Sequence, residues 1–372
     1  MNKMEIVCPC LFGLESVLSG EIKRMGVKEV TTSDGRVSFF GDEHMLARAN
    51  INLRTAERVM INLGSFRAET FDQLFEGTKA LPFEAFISKH NAFPVKGWSI
   101  NSRLTSIPDC QSIIKKAAVT RLQQKYSVSW FEETEAPVQI RFSIHKDIAS
   151  VMLDTSGAGL HKRGYRQNSL VAPIKETLAA GILDIARIYP DTVLYDPFCG
   201  SGTFSIEAAL KAFNIPAGIN RKFAAEKWDC LSDAAWREER ARGLDLIRRD
   251  ATFKAYASDI DPDAVELTAQ NAKKAGVAMR IKTTRADIAD FSIPNDKHAL
   301  VVCNPPYGER LLEVEQAQKL YNTMGKRFNL KSNNRFFIIS PDEKFEKFFG
   351  QKADKQRKLY NGMIKCRLYM YR

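Results

Sequence analysis

Near its middle the chain reads Val193-Leu194-Tyr195-Asp196-Pro197-Phe198-Cys199-Gly200-Ser201-Gly202-Thr203, where a short apolar run leads through a glycine-rich turn into a helical segment at 203–213. The apolar run predicts a buried strand. Gly200 and Gly202 allow the main chain to approach a ligand closely, and the start of a helix offers N–H groups without intrahelical partners. The stretch therefore predicts a strand, a ligand-binding turn and a helix in succession.

Strand-like and helical segments alternate on both sides of this stretch. The predicted strands lie at 193–195, 255–258, 300–303 and 336–340, with helices at 203–213 and 263–275. This alternation predicts an α/β fold with a doubly wound, mainly parallel sheet. Asn361-Gly362 is a two-residue hairpin signal, and apolar residues alternate with basic or aromatic ones from 364 to 371. We therefore expect an antiparallel hairpin at the end of the sheet.

Residues 1–155 have a different character. Short strand-like runs, such as 37–40 and 149–153, flank helical segments, such as 109–126. This arrangement predicts small α+β units. The helix at 109–126 has a predicted buried face, formed by Ile113, Ile114, Ala117, Ala118 and Leu122.

A glycine-rich, basic segment joins the two parts. It contains Gly157-Ala158-Gly159 and then Lys162-Arg163-Gly164-Tyr165-Arg166. Two interpretations stay open for this segment: a flexible linker, or a connection that holds phosphate groups.

Composition narrows the class of protein. A chain of 372 residues is long enough for two or three domains. Its net charge of +11 is compatible with a polyanionic partner such as nucleic acid, and residues 331–372 hold eleven basic and four acidic residues. The seven cysteines are scattered without zinc spacing, so we expect reduced thiols, no metal site and a cytoplasmic protein. The sequence has no run of 18 apolar residues, and we expect neither a secretion signal nor a membrane span.

The glycine-rich turn differs from a dinucleotide-binding turn in three ways. Its pattern is G-x-G-x-x-S, without a third glycine. Asp196 would repel a pyrophosphate but suits the ammonium group of an amino acid. The next acidic strand end, Asp259, lies 57 residues after Gly202, against about 20 in the dinucleotide fingerprint. A Walker loop is excluded because no G-K-[ST] follows. The turn therefore favours an adenosyl cofactor with an amino acid end.

A second set of acidic residues supports this interpretation. Asp259 ends a predicted strand and can accept both hydroxyls of a ribose, and Ile260 can pack on an adenine ring. Asp261, followed by Pro262, is predicted to cap the next helix. Asp287 could accept an adenine amine or cap a strand, and both interpretations stay open.

Asn304-Pro305-Pro306-Tyr307 follows the apolar run 299–303, and so stands where open α/β sheets bind ligands. It offers the amide oxygen of Asn304, a Pro305 carbonyl with no neighbouring N–H, and the aromatic face of Tyr307. These groups suit the holding of a planar base by its exocyclic amine. The alternative is a proline-rich turn that ends a strand.

These motifs resemble those of class I S-adenosylmethionine-dependent methyltransferases of the amino-methylating kind. The resemblance rests on Asp-Pro-Phe-Cys-Gly-Ser-Gly-Thr (196–203), Ser-Asp-Ile-Asp (258–261) and Asn-Pro-Pro-Tyr-Gly-Glu-Arg (304–310). Residues 160–166 and 172–179 further resemble the THUMP-containing bacterial enzymes that methylate guanine N2 in 23S ribosomal RNA. Alternatives are a tRNA guanine-N2 enzyme, a DNA adenine-N6 enzyme and a catalytically silent RNA-binding scaffold.

The resemblance implies a domain organisation, a cofactor and a partner. It implies a seven-stranded Rossmann-like sheet, S-adenosylmethionine as cofactor, and 23S ribosomal RNA or a large-subunit precursor as partner. The implied domains are a ferredoxin-like unit (1–64), a THUMP RNA-binding domain (65–155), a basic linker (156–170) and a methyltransferase domain (171–372).

The resemblance also implies roles for particular residues. The catalytic residues are expected to be Asn304, Pro305, Pro306 and Tyr307. The segment expected to cover the methionine end of the cofactor contains Pro173, Lys175, Glu176 and Thr177, although Glu176 would also suit the first turn of a helix. The other cofactor-binding residues are expected to be Asp196, Phe198, Cys199, Gly200, Gly202, Thr203, Asp259, Ile260, Asp287 and Asn304. The residues expected to contact RNA are Lys162, Arg163, Tyr165 and Arg166.

Overall fold

Two seven-stranded sheets organise the protein. The strands of the first sheet all precede residue 155, and those of the second all follow residue 192. The computed structural model describes residues 3–166, 173–294, 298–307, 311–330 and 333–372, without the side chains of 311 and 312.

The N-terminal sheet has the strand order β2-β3-β1-β4-β7-β6-β5. Its pairs are antiparallel except for β5 with β6. Strands and helices alternate irregularly, which confirms the predicted α+β character. The elements are β1 (Met4–Pro9), α1 (Glu15–Arg24), β2 (Thr31–Ser33), β3 (Arg36–Gly41), α2 (Glu43–Asn52), β4 (Met60–Arg67), α3 (Phe71–Lys79), β5 (Val95–Ile100), α4 (Ile107–Tyr126), β6 (Ile140–His145) and β7 (Ile148–Asp154).

Strand β4 joins the two N-terminal units into one sheet. It pairs with β1 through Met60 and Ile61, and with β7 along its whole length. The predicted domain boundary between residues 64 and 65 falls inside this strand, so the two units share main-chain hydrogen bonds rather than a linker.

Helix α4 carries the predicted apolar face with one residue exchanged. The Ser106 side chain accepts the N–H of Asp109 at its start, which is the usual role of serine at an N-cap. Cys110 is buried in place of Ile113, which is only half-buried. The remaining buried residues of this face are Ile114, Ala117, Ala118 and Leu122.

The C-terminal sheet has the strand order β10-β9-β8-β11-β12-β14-β13. The first five strands of this order are parallel to one another, and β14 pairs antiparallel with both β12 and β13. This arrangement confirms the predicted sheet. The elements are α5 (Glu176–Ile185), β8 (Val193–Asp196), α6 (Thr203–Ala212), α7 (Asp233–Asp245), β9 (Lys254–Asp259), α8 (Pro262–Lys274), β10 (Ile281–Arg285), β11 (Ala299–Cys303), α9 (Leu311–Arg327), β12 (Arg335–Ser340), α10 (Phe345–Phe349), β13 (Lys355–Asn361) and β14 (Ile364–Tyr371).

The strand order reverses direction at β8. From this strand the chain builds outward through β9 and β10 on one side, and through β11 and β12 on the other. Such a reversal leaves a crevice at the carboxyl ends of the two central strands, and doubly wound sheets bind ligands there.

The C-terminal hairpin turns one residue later than the sequence signal suggests. Asn361 pairs with Ile364, so the two loop residues are Gly362 and Met363 rather than Asn361 and Gly362. Gly362 has φ +64° and Met363 does not have positive φ, as expected where glycine takes the first position of the loop. Tyr369 and Tyr371 are also buried, because β14 lies inside the sheet and both of its faces are covered.

The segment between α6 and β9 packs against the N-terminal half. Its aromatic residues Phe223, Trp228 and Trp236 belong to the core of that half. On α7, Glu239 accepts two hydrogen bonds of 2.7 Å from the Arg48 guanidinium on α2. The two sheets are therefore joined by both apolar and ionic contacts.

Candidate active site

A cavity of about 730 Å³ lies at the carboxyl ends of β8, β9 and β11, a size suited to a cofactor. The predicted residues in its wall are Pro173, Phe198, Cys199, Gly200, Thr203, Asp259, Ile260, Asp287, Asn304, Pro305, Pro306 and Tyr307. Outside the wall lie Lys175, Glu176, Thr177, Asp196 and Gly202. The structure therefore brings together the glycine turn, the acidic residues Asp259 and Asp287, and the Asn-Pro-Pro-Tyr motif.

The glycine loop, residues 196–203, needs glycine at two positions for different reasons. Gly200 has φ +52° and Gly202 has φ +80°, a region that disfavours other residues. A Cβ on Gly200 would meet no atom within 4 Å, whereas a Cβ on Gly202 would lie 2.8 Å from Cγ2 of Thr268. Gly200 thus faces open space in the cavity, and Gly202 allows close packing on α8.

Two polar side chains of α8 hold the glycine loop in place. Thr268 Oγ1 donates to the Gly200 carbonyl at 2.9 Å, and Asn271 Nδ2 donates to the Ser201 carbonyl at 3.0 Å. Both residues are buried. Neither residue belongs to a motif, although polar residues on the buried face of an otherwise apolar helix are a usable signal.

Asp196 is a buried carboxylate below the loop, with 1% of its surface exposed. Burial raises its pKa well above its usual range, despite an N–H donated by Phe198. Its Oδ1 atom has no hydrogen-bond partner among the described residues, and such an atom is costly to bury unpaired. An ammonium group would supply the missing donor, so this residue fits a cofactor with an amino acid end.

Asp259 connects the glycine loop to Asp261, the residue that caps α8. Its Oδ2 atom accepts the Gly200 N–H at 3.0 Å, and Oδ1 accepts the Asp261 N–H at 3.2 Å. Each carboxylate oxygen can accept a further hydrogen bond, which leaves room for the hydroxyls of a ribose. The adjacent Ile260 is 61% exposed, and its apolar side chain can cover a ring bound in the cavity.

The two remaining aspartates of this region act as caps. Asp261 accepts the N–H of Asp263 at 2.9 Å and begins α8, the structural role predicted for it. Asp287 accepts the N–H of Ala289 at 2.8 Å and caps a short 3₁₀ turn. Because Asp287 also lines the cavity, it can cap that turn and still face a ligand.

The Asn-Pro-Pro-Tyr motif follows β11, which lies next to β8 in the sheet, and forms part of the cavity wall. Asn304, Pro305, Pro306 and Tyr307 all line it. The Tyr321 hydroxyl on α9 lies 3.5 Å from the Pro306 carbonyl and 3.3 Å from Ser340 Oγ. Asn361 Nδ2 donates to the Tyr307 hydroxyl at 3.2 Å. Three elements far apart in sequence therefore position the motif, and no local pattern revealed them. Residues 308–310, the end of the longer motif, lie outside the described residues.

The segment expected to cover the cofactor contributes mainly Pro173 to the wall. Lys175 Nζ lies 3.4 Å from a Glu57 carboxylate oxygen, and the Thr177 hydroxyl donates to the same carboxylate. Glu57 follows α2 in the N-terminal half. Lys175 and Thr177 therefore attach the segment to that half, behind the cavity.

Glu176 is also buried behind the wall. Burial raises its pKa to about 7, although Arg166 pairs with it at 2.9 Å. The same guanidinium donates to the Ile174 carbonyl at 3.2 Å, and Ile174 lines the cavity. Arg166 and Glu176 thus support the wall from outside.

Arg163 and Tyr165 are buried, which corrects the expectation that they contact RNA. The Arg163 guanidinium pairs with Glu207 at 3.3 Å and donates to the carbonyls of Leu160 and Arg54. The Tyr165 hydroxyl donates to Glu207 at 3.1 Å. Both side chains are therefore occupied inside the protein. Of the four predicted RNA contacts, only Lys162 is fully exposed, since Arg166 is half-buried against Glu176.

The thiols near the cavity are buried. Burial raises the pKa of Cys199 and of Cys303, which disfavours the thiolate, the nucleophilic form. In the described ranges, no group of three His, Cys, Asp or Glu side chains is arranged to hold a metal ion. No helix within those ranges combines the length and apolar character that a bilayer crossing requires.

Fold and site together define a class I S-adenosylmethionine-dependent methyltransferase. The sheet is doubly wound and has antiparallel pairing at one edge. The glycine loop and the acidic strand ends meet at one cavity. Comparison with known families gives the same class: residues 163–370 match the family described as RMKL-like, methyltransferase domain. The chain belongs to this family. Residues 5–60 match the RlmL ferredoxin-like domain, and residues 68–154 match the THUMP domain.

Several relatives align with the whole chain. It is 41% identical over 373 aligned positions to "Putative RNA methyltransferase YpsC" of Bacillus subtilis (strain 168), covering 100% of this chain and 96% of the relative. It is 32% identical to "Ribosomal RNA large subunit methyltransferase K/L" of Syntrophotalea carbinolica, covering 96% of this chain and 52% of that protein, and so spans about half of it. A solved structure of SMU.472, described as a putative methyltransferase complexed with SAH, is 38% identical with a TM-score of 0.94, covering 100% of this chain and 98% of that one.

Proposed function

We propose that this protein transfers the methyl group of S-adenosylmethionine to the exocyclic N2 amine of a guanine in 23S ribosomal RNA. One observation carries the proposal: the Asn-Pro-Pro-Tyr motif and the glycine loop line the same cavity. An amine holder and a cofactor site are thus close enough to bring two reactants together. Alignment of two bound reactants can supply much of the acceleration of a transfer reaction.

The cofactor supplies an electrophilic methyl group on a sulfonium. Asp196 binds its ammonium group, which satisfies the unpaired Oδ1 atom. Asp259 accepts the ribose hydroxyls, Ile260 packs on the adenine, and Asp287 accepts the adenine amine. Pro173, which also lines the cavity, covers the methionine end.

The Asn-Pro-Pro-Tyr motif prepares the amine of the target base. An exocyclic amine is a poor nucleophile because its lone pair is delocalised into the ring. The Asn304 side-chain oxygen and the Pro305 carbonyl accept its two hydrogens, which favours a tetrahedral nitrogen with an available lone pair. Tyr307 stacks on the base, and the base leaves any surrounding stem to enter the cavity.

RNA is the proposed substrate class for three reasons. The chain contains a THUMP domain match, and the named relatives are an RNA methyltransferase and a ribosomal RNA methyltransferase. The net charge of +11 suits a polyanion. We infer 23S ribosomal RNA, free or in a large-subunit precursor, as the partner, and hence action in the cytoplasm.

Nucleoside analysis by mass spectrometry tests the proposal. Ribosomal and transfer RNA are compared between cells with and without the gene for this chain, and 23S RNA fragments are digested separately. We expect N2-methylguanosine to disappear from one 23S fragment and to return with the wild-type gene. Loss from transfer RNA alone, or loss of N6-methyladenosine instead, would overturn the proposed target.

A second measurement separates an enzyme from a silent scaffold. Calorimetry with S-adenosylmethionine should show binding at one site, and substitution of Asp259 by Ala should abolish it. A gene carrying Asn304→Ala should then fail to restore the modified nucleoside. Restoration by that variant would contradict the proposed chemistry, because it removes only the amine acceptor.

A further inference from the structure

The outer face of the C-terminal hairpin combines cations with an aromatic ring. Tyr360 pairs directly with Lys365, and Lys358 pairs with Arg367. Directly opposite residues of an antiparallel pair project on the same face, as do residues two apart on one strand. These four side chains therefore share one face, and the Lys358 ammonium lies 5.5 Å from the centre of the Tyr360 ring.

The positive charge of this face is only weakly compensated. Glu343 lies 3.9 Å from both Lys365 and Arg367. It is an exposed carboxylate, and exposed ion pairs at such distances contribute little. Lys358 forms no ion pair with any described residue. The face therefore retains net positive charge toward solvent.

A loop of the N-terminal half adds a second aromatic ring beside this face. Phe12, between β1 and α1, is 57% exposed. Its ring centre lies 6.2 Å from that of Tyr360, with the rings inclined at 67°. An exposed phenylalanine beside a tyrosine and three cations forms a surface of mixed aromatic and basic character.

The loop that carries Phe12 is firmly held. The Gly13 carbonyl accepts a hydrogen bond of 3.0 Å from Arg357 Nε, and the Gly13 N–H donates one of 2.9 Å to the Glu15 carboxylate. Gly13 has φ +90°, and a Cβ there would lie 2.6 Å from the Lys358 carbonyl oxygen. Phe12 is therefore exposed although its main chain is fixed, and a fixed loop loses little entropy when it binds.

The same hairpin reaches the active site. Asn361, next to Tyr360, is buried and donates to the Tyr307 hydroxyl at 3.2 Å. Tyr307 lines the cavity. Asn361 and Tyr360 project on opposite faces of the strand. Both lie near the carboxyl edge of the sheet, where the cavity is, because Arg367, opposite Lys358, pairs with Ser340 at the end of β12.

We propose that Phe12, Lys358, Tyr360, Lys365 and Arg367, here called the hairpin platform, bind the single-stranded RNA nucleotides next to the target base. This inference rests on the proposed function as an RNA methyltransferase. Single-stranded RNA is bound by aromatic rings that stack on bases and by cations that follow the phosphates. A base that enters the cavity leaves its neighbours unstacked at the cavity mouth, where the platform offers them both kinds of contact.

Replacement of the rings without loss of apolar bulk tests the stacking contacts. A fluorescent single-stranded oligouridylate of about ten nucleotides is the probe, and its dissociation constant is measured by anisotropy with the full chain. We expect Phe12→Leu and Tyr360→Leu each to weaken binding about tenfold. Phe12→Trp should bind as the wild type does. Phe40→Leu, at another exposed phenylalanine on β3, is the matched control and should have no effect.

The lysines are tested through the salt dependence of binding. The slope of log affinity against log salt should fall by about 1.4 in Lys358→Ala/Lys365→Ala, since each phosphate contact to a single strand contributes about 0.7. The matched control is Lys254→Ala/Lys282→Ala, at exposed lysines near the opposite edge of the same sheet. An unchanged slope in Lys358→Ala/Lys365→Ala would contradict the proposed phosphate contacts.

Methylation assays separate this inference from the proposed function. The wild type, Phe12→Leu, Phe12→Trp and Tyr360→Leu are assayed on the 23S fragment found by nucleoside analysis. A KM for RNA about ten times higher in Phe12→Leu, with kcat unchanged and Phe12→Trp normal, supports the platform. Normal binding and normal KM in Phe12→Leu and Tyr360→Leu overturn it while the enzyme remains an RNA methyltransferase. Weakened oligouridylate binding without any methylation of ribosomal RNA would instead overturn the proposed substrate.

Discussion

The glycine loop and the neighbouring joint, residues 160–166 and 173–177, both border the cavity but are held by different forces. In the loop, neutral hydrogen bonds from Thr268 and Asn271 fix main-chain carbonyls. In the joint, the ion pairs of Arg163 with Glu207 and of Arg166 with Glu176 hold the linker segment on the C-terminal half. The carbonyls of the loop are thus fixed by neutral donors, whereas the joint is fixed by ion pairs.

This difference predicts that substitutions will separate stability from activity. A change in the joint leaves a buried charge without its partner, which is costly. A change at the cavity wall removes a contact that matters only when ligands are bound.

Substitution of Glu207 by Ala should have the largest effect. It leaves the Arg163 guanidinium and the Tyr165 hydroxyl buried without their shared acceptor. Removal of one partner of a buried ion pair typically costs about 3–5 kcal/mol. Urea unfolding followed by circular dichroism should show a loss of this size.

A double variant tests whether the buried charge is the cause. Arg163→Met/Glu207→Leu removes both charges and keeps apolar volume, and such replacements are often close to neutral. We expect it to recover most of the stability lost in Glu207→Ala. If the double variant is as unstable as the single one, the joint is not held by the charge pair.

Local geometry explains why the glycine loop was predictable and the joint was not. Gly200 and Gly202 adopt positive φ, and few residues other than glycine do so, hence the sequence itself marks the turn. Arg163 is paired with Glu207, 44 residues away, and Lys175 with Glu57, 118 residues away. No short pattern links such partners, and an exposed and a buried arginine look the same in sequence.

Substitution of Asn304 by Ala should affect activity and not stability. Asn304 is only half-buried at the cavity wall, and we propose that its oxygen accepts the amine hydrogen. Loss of one oriented hydrogen bond to a reacting group commonly lowers kcat by about 100- to 1,000-fold. The dissociation constant for S-adenosylmethionine should stay within about twofold of the wild type. A comparable loss of folding stability in Asn304→Ala would remove the contrast with Glu207→Ala.

The supports of the Asn-Pro-Pro-Tyr motif show the limit of sequence analysis at this site. The motif itself was predicted because prolines and a following aromatic ring after a buried strand form a local signature. Tyr321 and Asn361 reach it from two later elements, and Ser340 contacts the Tyr321 hydroxyl from a third. Their contribution depends on the order of β11, β12, β14 and β13 in the sheet, which local patterns do not specify.

The second ion pair of the joint should make stability depend on pH. Burial raises the pKa of Glu176 to about 7 in the folded protein, whereas the unfolded chain loses this proton near pH 4.5. Between these values the folded state binds the extra proton, so the free energy of unfolding falls as pH rises and levels off above pH 7. The loss amounts to about 3 kcal/mol at most.

Glu176→Gln isolates this effect because glutamine does not titrate. We expect its unfolding free energy to match the wild type near pH 4.5 and to exceed it progressively up to pH 7. Both proteins are followed by urea unfolding at five pH values. A difference that is constant with pH would mean that Glu176 does not titrate in this window, and that the joint holds it as a carboxylate throughout.

The smallest expected effect lies in the glycine loop and tests its packing on α8. Gly200→Ala adds only backbone strain, about 1 kcal/mol, because its Cβ meets no atom within 4 Å. Gly202→Ala adds the same strain and a contact of 2.8 Å with Cγ2 of Thr268, so we expect a loss of about 2 kcal/mol. Thr268→Ser removes that methyl group and keeps the hydroxyl that binds the Gly200 carbonyl. The double variant Gly202→Ala/Thr268→Ser should therefore unfold at nearly the same urea concentration as Gly200→Ala. If Gly200→Ala and Gly202→Ala lose the same free energy of unfolding, backbone strain alone sets the cost and the contact with Thr268 does not contribute.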